Sequence, residues 1–205
     1  RYTMNFTDST SVIASSRTIL MGYNWPSAPV SASPSHTIGA LRWGRDGSLL
    51  VSSGDGAQYD FADGGGGQAT DAGAFGPGKT DPYYDIGAFR SQDITSLNGK
   101  VLRINPANGH GYASNPFANS DLASAQSRVY AYGLRNPFRF GVRPNTGSTD
   151  TTLGNPGSVY VGDVGWNSFE EMDIARTGGK NFGWPCYEGL GGNGPYQSLN
   201  PAHNG

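Results

Sequence analysis

Apolar and polar residues alternate with a period of two along most of the chain, in short runs bounded by Gly, Pro, Asn and Asp. This period places successive side chains on opposite faces of a strand, whereas a helix needs an apolar stripe every three to four residues. The pattern therefore predicts an all-β protein, with one short helical turn around Asp121–Gln126. The predicted strands are Arg17–Gly22, Ile38–Trp43, Ser48–Ser53, Lys100–Ile104, Arg128–Tyr132, Arg139–Val142, Ser158–Val161 and Glu171–Ala175.

A weak internal repeat indicates how these strands are arranged. Residues 44–56 (GRDGSLLVSSGDG) share one design with the segment that runs from RPNTG (143–147) to GSVYVGDVG (157–165): a polar turn, a β-run and a Gly-Asp pair. The two pairs begin at Gly54 and Gly162, a separation that suits two propeller blades of roughly 40–50 residues with decorated loops. At that length the chain would hold about four blades. A β-sandwich with two similar hairpins would give the same pattern.

Composition and charge narrow the function classes. The chain has 32 Gly and 13 Pro among its 205 residues, which agrees with many turns and little helix. The net charge of −2 provides no basic face for nucleic acid or for an anionic membrane. No apolar run approaches the roughly 20 residues that span a bilayer. We therefore expect no nucleic-acid partner and no membrane span.

The cysteine and lysine content bears on the compartment. Cys186 is the single cysteine, so it is either a buried free thiol or pairs with a cysteine outside these residues. Few lysines and many Ser, Thr, Asn and Tyr residues favour an extracellular or periplasmic protein. Because the chain starts at Arg1 without a signal-type segment, we interpret residues 1–205 as part of a single domain from a longer or processed chain.

The segment from Asp55 to Arg90 contains no convincing strand, and a loop of this length is usually functional or mobile. Its carboxylates raise the question of calcium, but their spacing matches no EF-hand, and a solvated loop is the favoured interpretation. They are Asp55, Asp60, Asp63, Asp71, Asp81 and Asp85.

Three histidines are candidates for chemistry: His36 before a strand, His110 in a turn and His203 near the chain end. A lone histidine is more often an ordinary hydrogen-bonded or exposed side chain than a catalytic one. His36 differs because a hairpin would bring Asp55, after the next strand, to the same sheet edge. A carboxylate on one imidazole nitrogen fixes the tautomer and makes the other nitrogen a better base.

Arg135 and Asn136 form a second candidate pair, between a predicted strand and Pro137. The proline favours an extended Asn136 and stops the strand ladder, so both side chains would lie at a strand end. A guanidinium beside an amide suits a carbonyl or oxyanion acceptor. The alternative is an arginine that ties strands together through backbone carbonyls.

Residues 161–174 carry Asp163, Glu170 and Glu171, which are either a solvated edge or a calcium site. In the aromatic segment that follows, Trp184 is interpreted as a packing wedge, not as a platform for a sugar ring.

Five segments, in this order, resemble the glucose/sorbosone dehydrogenases. They are a histidine before IGALRWGRDGSLLVSSGDG, then SQDITSLNGKVLRINPANGHG, YAYGLRNPFRF, YVGDVGWNSFEEMDI and GGKNFGWPCYEG, and together they extend over residues 36–189. The resemblance implies an all-β, six-bladed β-propeller, with about four blades in these residues. Its soluble aldose dehydrogenase members hold pyrroloquinoline quinone (PQQ) and calcium.

Residue by residue, the resemblance implies that His36 takes the proton from the C1 hydroxyl of a sugar as hydride passes to the quinone. Asp55 would orient His36. Arg135 and Asn136 would bind the reactive carbonyl of PQQ, and Arg135 would also stabilise the charge that develops there.

The resemblance also implies metal ligands. The backbone carbonyls of Gly165 and Trp166 match two calcium ligands, although family enzymes can have Pro at the second position and the Trp ring is larger. Glu170 and Glu171 match the region where the family can bind structural calcium. Family enzymes also use a Lys and further Arg residues from later blades to grip PQQ, and we expect those positions to fall outside residues 1–205.

We therefore expect an oxidoreductase that oxidises aldoses at C1 and passes electrons to an external acceptor. One alternative is a non-catalytic extracellular propeller that binds a protein or a glycan. A calcium-dependent propeller lactonase is a further, weaker alternative, because the acidic residues lie in loops and not in one central cluster.

Overall fold

The protein is built from short strands joined by long loops. The computed structural model describes residues 1–8, 10–67 and 72–199. In these ranges the strands are β1 (Thr3–Met4), β2 (Val12–Ile13), β3 (Ile38–Trp43), β4 (Leu49–Ser53), β5 (Lys100–Ile104), β6 (Val129–Tyr132), β7 (Arg139–Val142), β8 (Val159–Asp163), β9 (Glu171–Ala175), β10 (Lys180–Asn181), β11 (Tyr187–Glu188) and β12 (Gly191–Gly192). The helices are α1 (Ala125–Arg128) and α2 (Gly194–Gln197), with 3₁₀ turns at Ala14–Ser16, Trp25–Ser27, Ala72–Ala74, Pro82–Tyr84, Gly87–Ser91 and Thr151–Leu153. The all-β prediction is confirmed.

The largest sheet has five strands in the order β10-β6-β5-β4-β3. Strands β3 to β6 form an antiparallel meander, and the short β10 adds in parallel to β6. Within the meander, β5 is buried along its whole length because it has neighbours at both edges and on both faces. At one end of the sheet Ile38 pairs with Ser53, and Ser53 pairs with Lys100.

The second sheet has three strands in the order β7-β8-β9, all antiparallel. Two further pairs, β1-β2 and β11-β12, form separate two-stranded sheets, and the described strands do not close into a ring.

The main core lies between the two larger sheets, because strand alternation turns one face of each towards the other. It consists of Ala40, Leu50, Val101, Tyr130, Ala131, Leu134, Phe140, Val159, Val161 and Ala175. A second cluster covers the opposite face of the larger sheet, where Val51 and Leu102 pack with Leu20 and Met21.

The strand predicted at Arg17–Gly22 is wrong, because this segment is irregular in the structure. Leu20 and Met21 both pack against the second core cluster, whereas consecutive residues of a strand would point to opposite faces. The predicted helical turn is found slightly later in the chain, as α1. The remaining predicted strands agree with the structure within two residues at each end.

The 55–90 segment is irregular as predicted, but it is only partly solvated. Asp55 and Asp63 are buried, and Asp63 accepts backbone N–H groups from Gln58 and Gly65. The interpretation as a solvated loop is therefore wrong for these two carboxylates. Asp60 and Asp81 are exposed, and Asp71 lies outside the described residues.

No helix among the described residues is long and apolar enough to cross a membrane.

Candidate functional site

His36 lies two residues before β3 and has a positive φ of 54°, a backbone conformation that costs energy in a residue other than glycine. Its backbone packs closely on Gly54, where an added Cβ would collide with the carbonyl oxygen of His36. Gly54 also donates its N–H to the carbonyl of Thr37, and Gly56 donates to the carbonyl of His36. The hairpin end thus fixes His36 opposite the residues that follow β4.

Asp55 holds the imidazole of His36. The distance from His36 Nδ1 to Asp55 Oδ1 is 2.8 Å, and both side chains are buried. Asp55 also accepts the N–H of Ala57 at Oδ1 and the indole N–H of Trp184 at Oδ2. With Nδ1–H donating to the carboxylate, Nε2 carries a free lone pair. Within the part of the chain that the structure describes, Nε2 has no hydrogen-bond partner, so it is available as a base.

Arg135 lies beside this pair, because Asp55 donates its backbone N–H to the carbonyl of Arg135 over 2.8 Å. The Arg135 guanidinium donates through Nη1 to the carbonyls of Val164 and Gly165. It also lies 5.4 Å from the centre of the Trp184 ring. Arg135 thus does bind backbone carbonyls, as the alternative interpretation expected, but only through Nη1. Its Nε and Nη2 groups make no hydrogen bond to any described residue and remain available to an acceptor.

Asn136 follows directly, before Pro137, and is half-buried. Its backbone is well anchored, since its carbonyl accepts the N–H groups of Phe138 and Val164. Its side-chain amide forms no hydrogen bond with the described residues. The amide is therefore free to bind a ligand at the same sheet end as Arg135.

Asp163 positions both of these residues, whereas the sequence pattern indicated only a solvated edge or a calcium site around it. Its two carboxyl oxygens accept the backbone N–H of Arg135 at 2.8 Å and that of Asn136 at 2.6 Å. Burial raises the pKa of Asp163 to about 8, and the two N–H donors oppose this rise. The repeat carried a signal for this role, because Asp163 follows Gly162 as Asp55 follows Gly54, and each aspartate accepts hydrogen bonds at a strand end.

The predicted calcium ligands lie close together in the chain but have other partners. The Gly165 carbonyl accepts from the Arg135 guanidinium, a cation that would repel calcium. Glu170 accepts the N–H of Gly165, and Glu171 accepts that of Gly189. In residues 1–8, 10–67 and 72–199, no group of three or more His, Cys, Asp or Glu side chains is arranged to hold a metal.

Glu188 is a second site residue that the sequence did not reveal. Its buried carboxylate accepts the backbone N–H groups of Trp166 and Asn167, and so fixes the loop that follows Gly165. It lies 22 positions from Trp166 in a two-residue strand, too short for any periodicity to show.

An aromatic cluster forms one wall of the site. Trp184 packs edge-on against Tyr196 and Trp166, and the Trp166 indole donates to the carbonyl of Tyr59. The prediction that Trp184 is a packing residue agrees with its burial but misses its hydrogen bond to Asp55.

His110 does not belong to this site. His110 lies in the turn after β5, at the opposite end of the larger sheet from His36. His203 lies outside the described residues.

Comparison with known proteins places the whole site inside one family match. The family model described as glucose / sorbosone dehydrogenase matches residues 14–198. The HIPL1 protein of Arabidopsis thaliana is 30% identical over 191 residues, which cover 82% of this chain and 22% of the relative.

Solved structures are also similar. An oxidoreductase (glucose dehydrogenase) structure from Thermus thermophilus has a TM-score of 0.52 at 24% identity, over 86% of this chain and 40% of its own. The PQQ-bound aldose sugar dehydrogenase of Streptomyces coelicolor has a TM-score of 0.48 at 25% identity, over 79% of this chain and 34% of its own. The chain thus spans well under half the length of these proteins.

Proposed function

This chain belongs to the glucose/sorbosone dehydrogenase family, and on that premise we propose that it carries the catalytic base of a quinone-dependent oxidoreductase that oxidises aldoses at C1. The observation that carries the proposal is the buried hydrogen bond between His36 Nδ1 and Asp55 Oδ1, which leaves Nε2 free. An enzyme that removes a hydride from an alcohol carbon needs such a base for the hydroxyl proton.

In the proposed reaction, Nε2 of His36 takes the proton of the C1 hydroxyl while the hydride leaves C1, and the sugar becomes a lactone. Asp55 stabilises the imidazolium that forms, because its carboxylate is 2.8 Å from Nδ1. PQQ, the cofactor that the family resemblance implies, would supply the hydride acceptor. Arg135 and Asn136 would hold its carbonyl, and their free donors fit such an acceptor.

Calcium fits these residues less well than PQQ does. The Gly165 carbonyl already accepts a hydrogen bond from Arg135. Glu170 and Glu171 accept backbone N–H groups from different loops. No step of the proposed reaction therefore depends on calcium. Coordination by the carbonyls of Gly165 and Trp166 stays a prediction from the family resemblance.

For the architecture, we propose that the β3–β6 meander and the β7–β9 sheet are two neighbouring blades of a six-bladed propeller. Their packing through a shared core supports this arrangement. The further proposals of an external electron acceptor and of an extracellular or periplasmic location follow from the family resemblance and from composition.

The test is dye reduction by the protein that contains this chain, supplied with PQQ and calcium and offered a panel of aldoses. We expect sugar-dependent reduction that falls at least about 100-fold in His36→Ala, since general bases contribute roughly that factor or more. His110→Ala is the matched control, because His110 lies at the other end of the sheet. If no sugar supports reduction, and the quinone spectrum is unchanged on mixing, the non-catalytic propeller that binds a protein or glycan is the better explanation.

A further inference from the structure

A cavity of about 440 Å³ lies away from the His36 site, between residues 24–30, residues 80–84 and the chain segments that enter β5 and β6. Its lining contains hydroxyl and amide side chains and one arginine, Arg128, but no carboxylate. The volume is within the range of small-molecule sites, roughly 300–1,000 Å³, and is larger than a bare sulfate or phosphate needs.

Arg128, the last residue of α1, is only 7% exposed. Its guanidinium forms no hydrogen bond with any described residue, and Nε is completely buried without a partner. No carboxylate of the described ranges lies within ion-pair distance, although Asp121 attracts the charge from farther away. Burial lowers the pKa of Arg128, which shows that the protein environment disfavours the charge.

The other buried arginines in the described part of the chain all have acceptors. Arg103 binds Asp46, Arg90 binds the carbonyls of Asp55 and Tyr84, and Arg135 binds two carbonyls. A buried cation without an acceptor costs free energy, and guanidinium is the group that proteins use to bind planar oxyanions. Arg128 therefore has the properties of a residue whose acceptor comes from a ligand.

We propose that this cavity binds a sugar acid, with the carboxylate on Arg128 and the hydroxyl groups on the polar side chains of the lining. Gln126 and Thr80 are the side chains best suited to bind the sugar hydroxyl groups. Both line the cavity, and neither side chain forms a hydrogen bond with a described residue. An amide and a hydroxyl can each donate and accept, as sugar hydroxyls require. The proposal does not depend on the oxidation chemistry at His36.

Isothermal titration with gluconate, glucose and sulfate, without any quinone present, tests the proposal. We expect gluconate to bind at least about tenfold more tightly than glucose or sulfate, since each tenfold needs only about 1.4 kcal/mol. Arg128→Gln should weaken gluconate binding by about tenfold or more, because charge-assisted hydrogen bonds are lost. Gln126→Ala should weaken it less, and Arg176→Gln, which changes an exposed arginine, should bind like the parent protein.

Arg128→Lys covers the case in which the glutamine variant does not fold. It keeps the charge but not the planar fork, so gluconate binding should fall between the parent and Arg128→Gln. Gluconate affinity that equals that of sulfate, or that is the same in the parent, Arg128→Lys and Arg128→Gln, would overturn the proposal.

Discussion

The indole N–H of Trp184 donates to Oδ2 of Asp55 over 2.8 Å, although the two residues are 129 positions apart in the chain. Oδ1 of the same carboxylate faces His36, so Trp184 and His36 bind opposite oxygens. The Trp184 ring is buried and also lies against the Arg135 guanidinium. Trp184 thus connects the proposed base with the proposed acceptor-binding arginine, and it acts as a positioning residue.

Trp184→Phe should lower kcat of the quinone-loaded protein by about tenfold and leave KM nearly unchanged, because one hydrogen bond that orients Asp55 is lost while most ring packing remains. A second readout is the proton NMR signal of the His36 Nδ1–H group, which should broaden as the imidazole becomes less fixed. Trp25→Phe, which changes a half-exposed tryptophan, serves as the control. Equal loss of kcat in both variants would contradict the positioning role.

The pairing of His36 with Asp55 could be predicted because it follows from one local hairpin. Ile38 pairs with Ser53, so His36 and Asp55 each lie two residues beyond the same pair and meet at the sheet edge. Trp184 could not be predicted in this way, since its contact depends on a third chain segment.

The other notable residues could not be predicted, because their contacts come from loops and two-residue strands that have no sequence periodicity. Glu188 binds its loop from β11, and Arg128 becomes unusual only because no acceptor in the described residues reaches it, a fact that no sequence pattern encodes. The prediction of a strand at Arg17–Gly22 was wrong because the apolar residues of this segment pack on one side, in an irregular conformation that a period-two pattern does not distinguish from a strand.

Asp163→Asn should destabilise the protein by about 1–3 kcal/mol, since both carboxyl oxygens now accept a backbone N–H and the amide NH₂ would face one of these donors. Chemical denaturation of the variant and of Glu170→Gln, an exposed site, measures the difference. The proposed dehydrogenase activity should also fall, because the Arg135–Asn136 backbone is no longer held. A variant with parental stability would show that Asp163 does not anchor this turn.

The ion pair between Arg103 and Asp46 is a structural element far from His36. Both side chains are completely buried, and the shortest distance between them is 2.6 Å. Asp46→Asn should cost about 3–5 kcal/mol, because it leaves a buried guanidinium without its counter-ion. The double variant Asp46→Asn/Arg103→Met should recover part of this loss, which urea denaturation of the four proteins of the cycle would measure. Strictly additive losses would contradict the coupling of the pair.

Asp173, in β9, should make the protein less stable as pH rises. Burial, with the nearby charge of Glu171, raises its pKa to about 7, and one buried carboxylate oxygen has no partner among the described residues. Between the ordinary value of 3.8 and about 7, the unfolded chain has lost this proton while the folded protein keeps it. The folded state therefore binds more protons, and the free energy of unfolding falls as pH rises through this window. Because the group is partly exposed, we expect an effect of only about 1 kcal/mol.

Denaturation at pH 4.5 and pH 7.5 should show this extra loss in the parent and in Asp60→Asn, an exposed control, but not in Asp173→Asn. The same pH dependence in all three proteins would mean that Asp173 ionises as easily in the fold as in the unfolded chain.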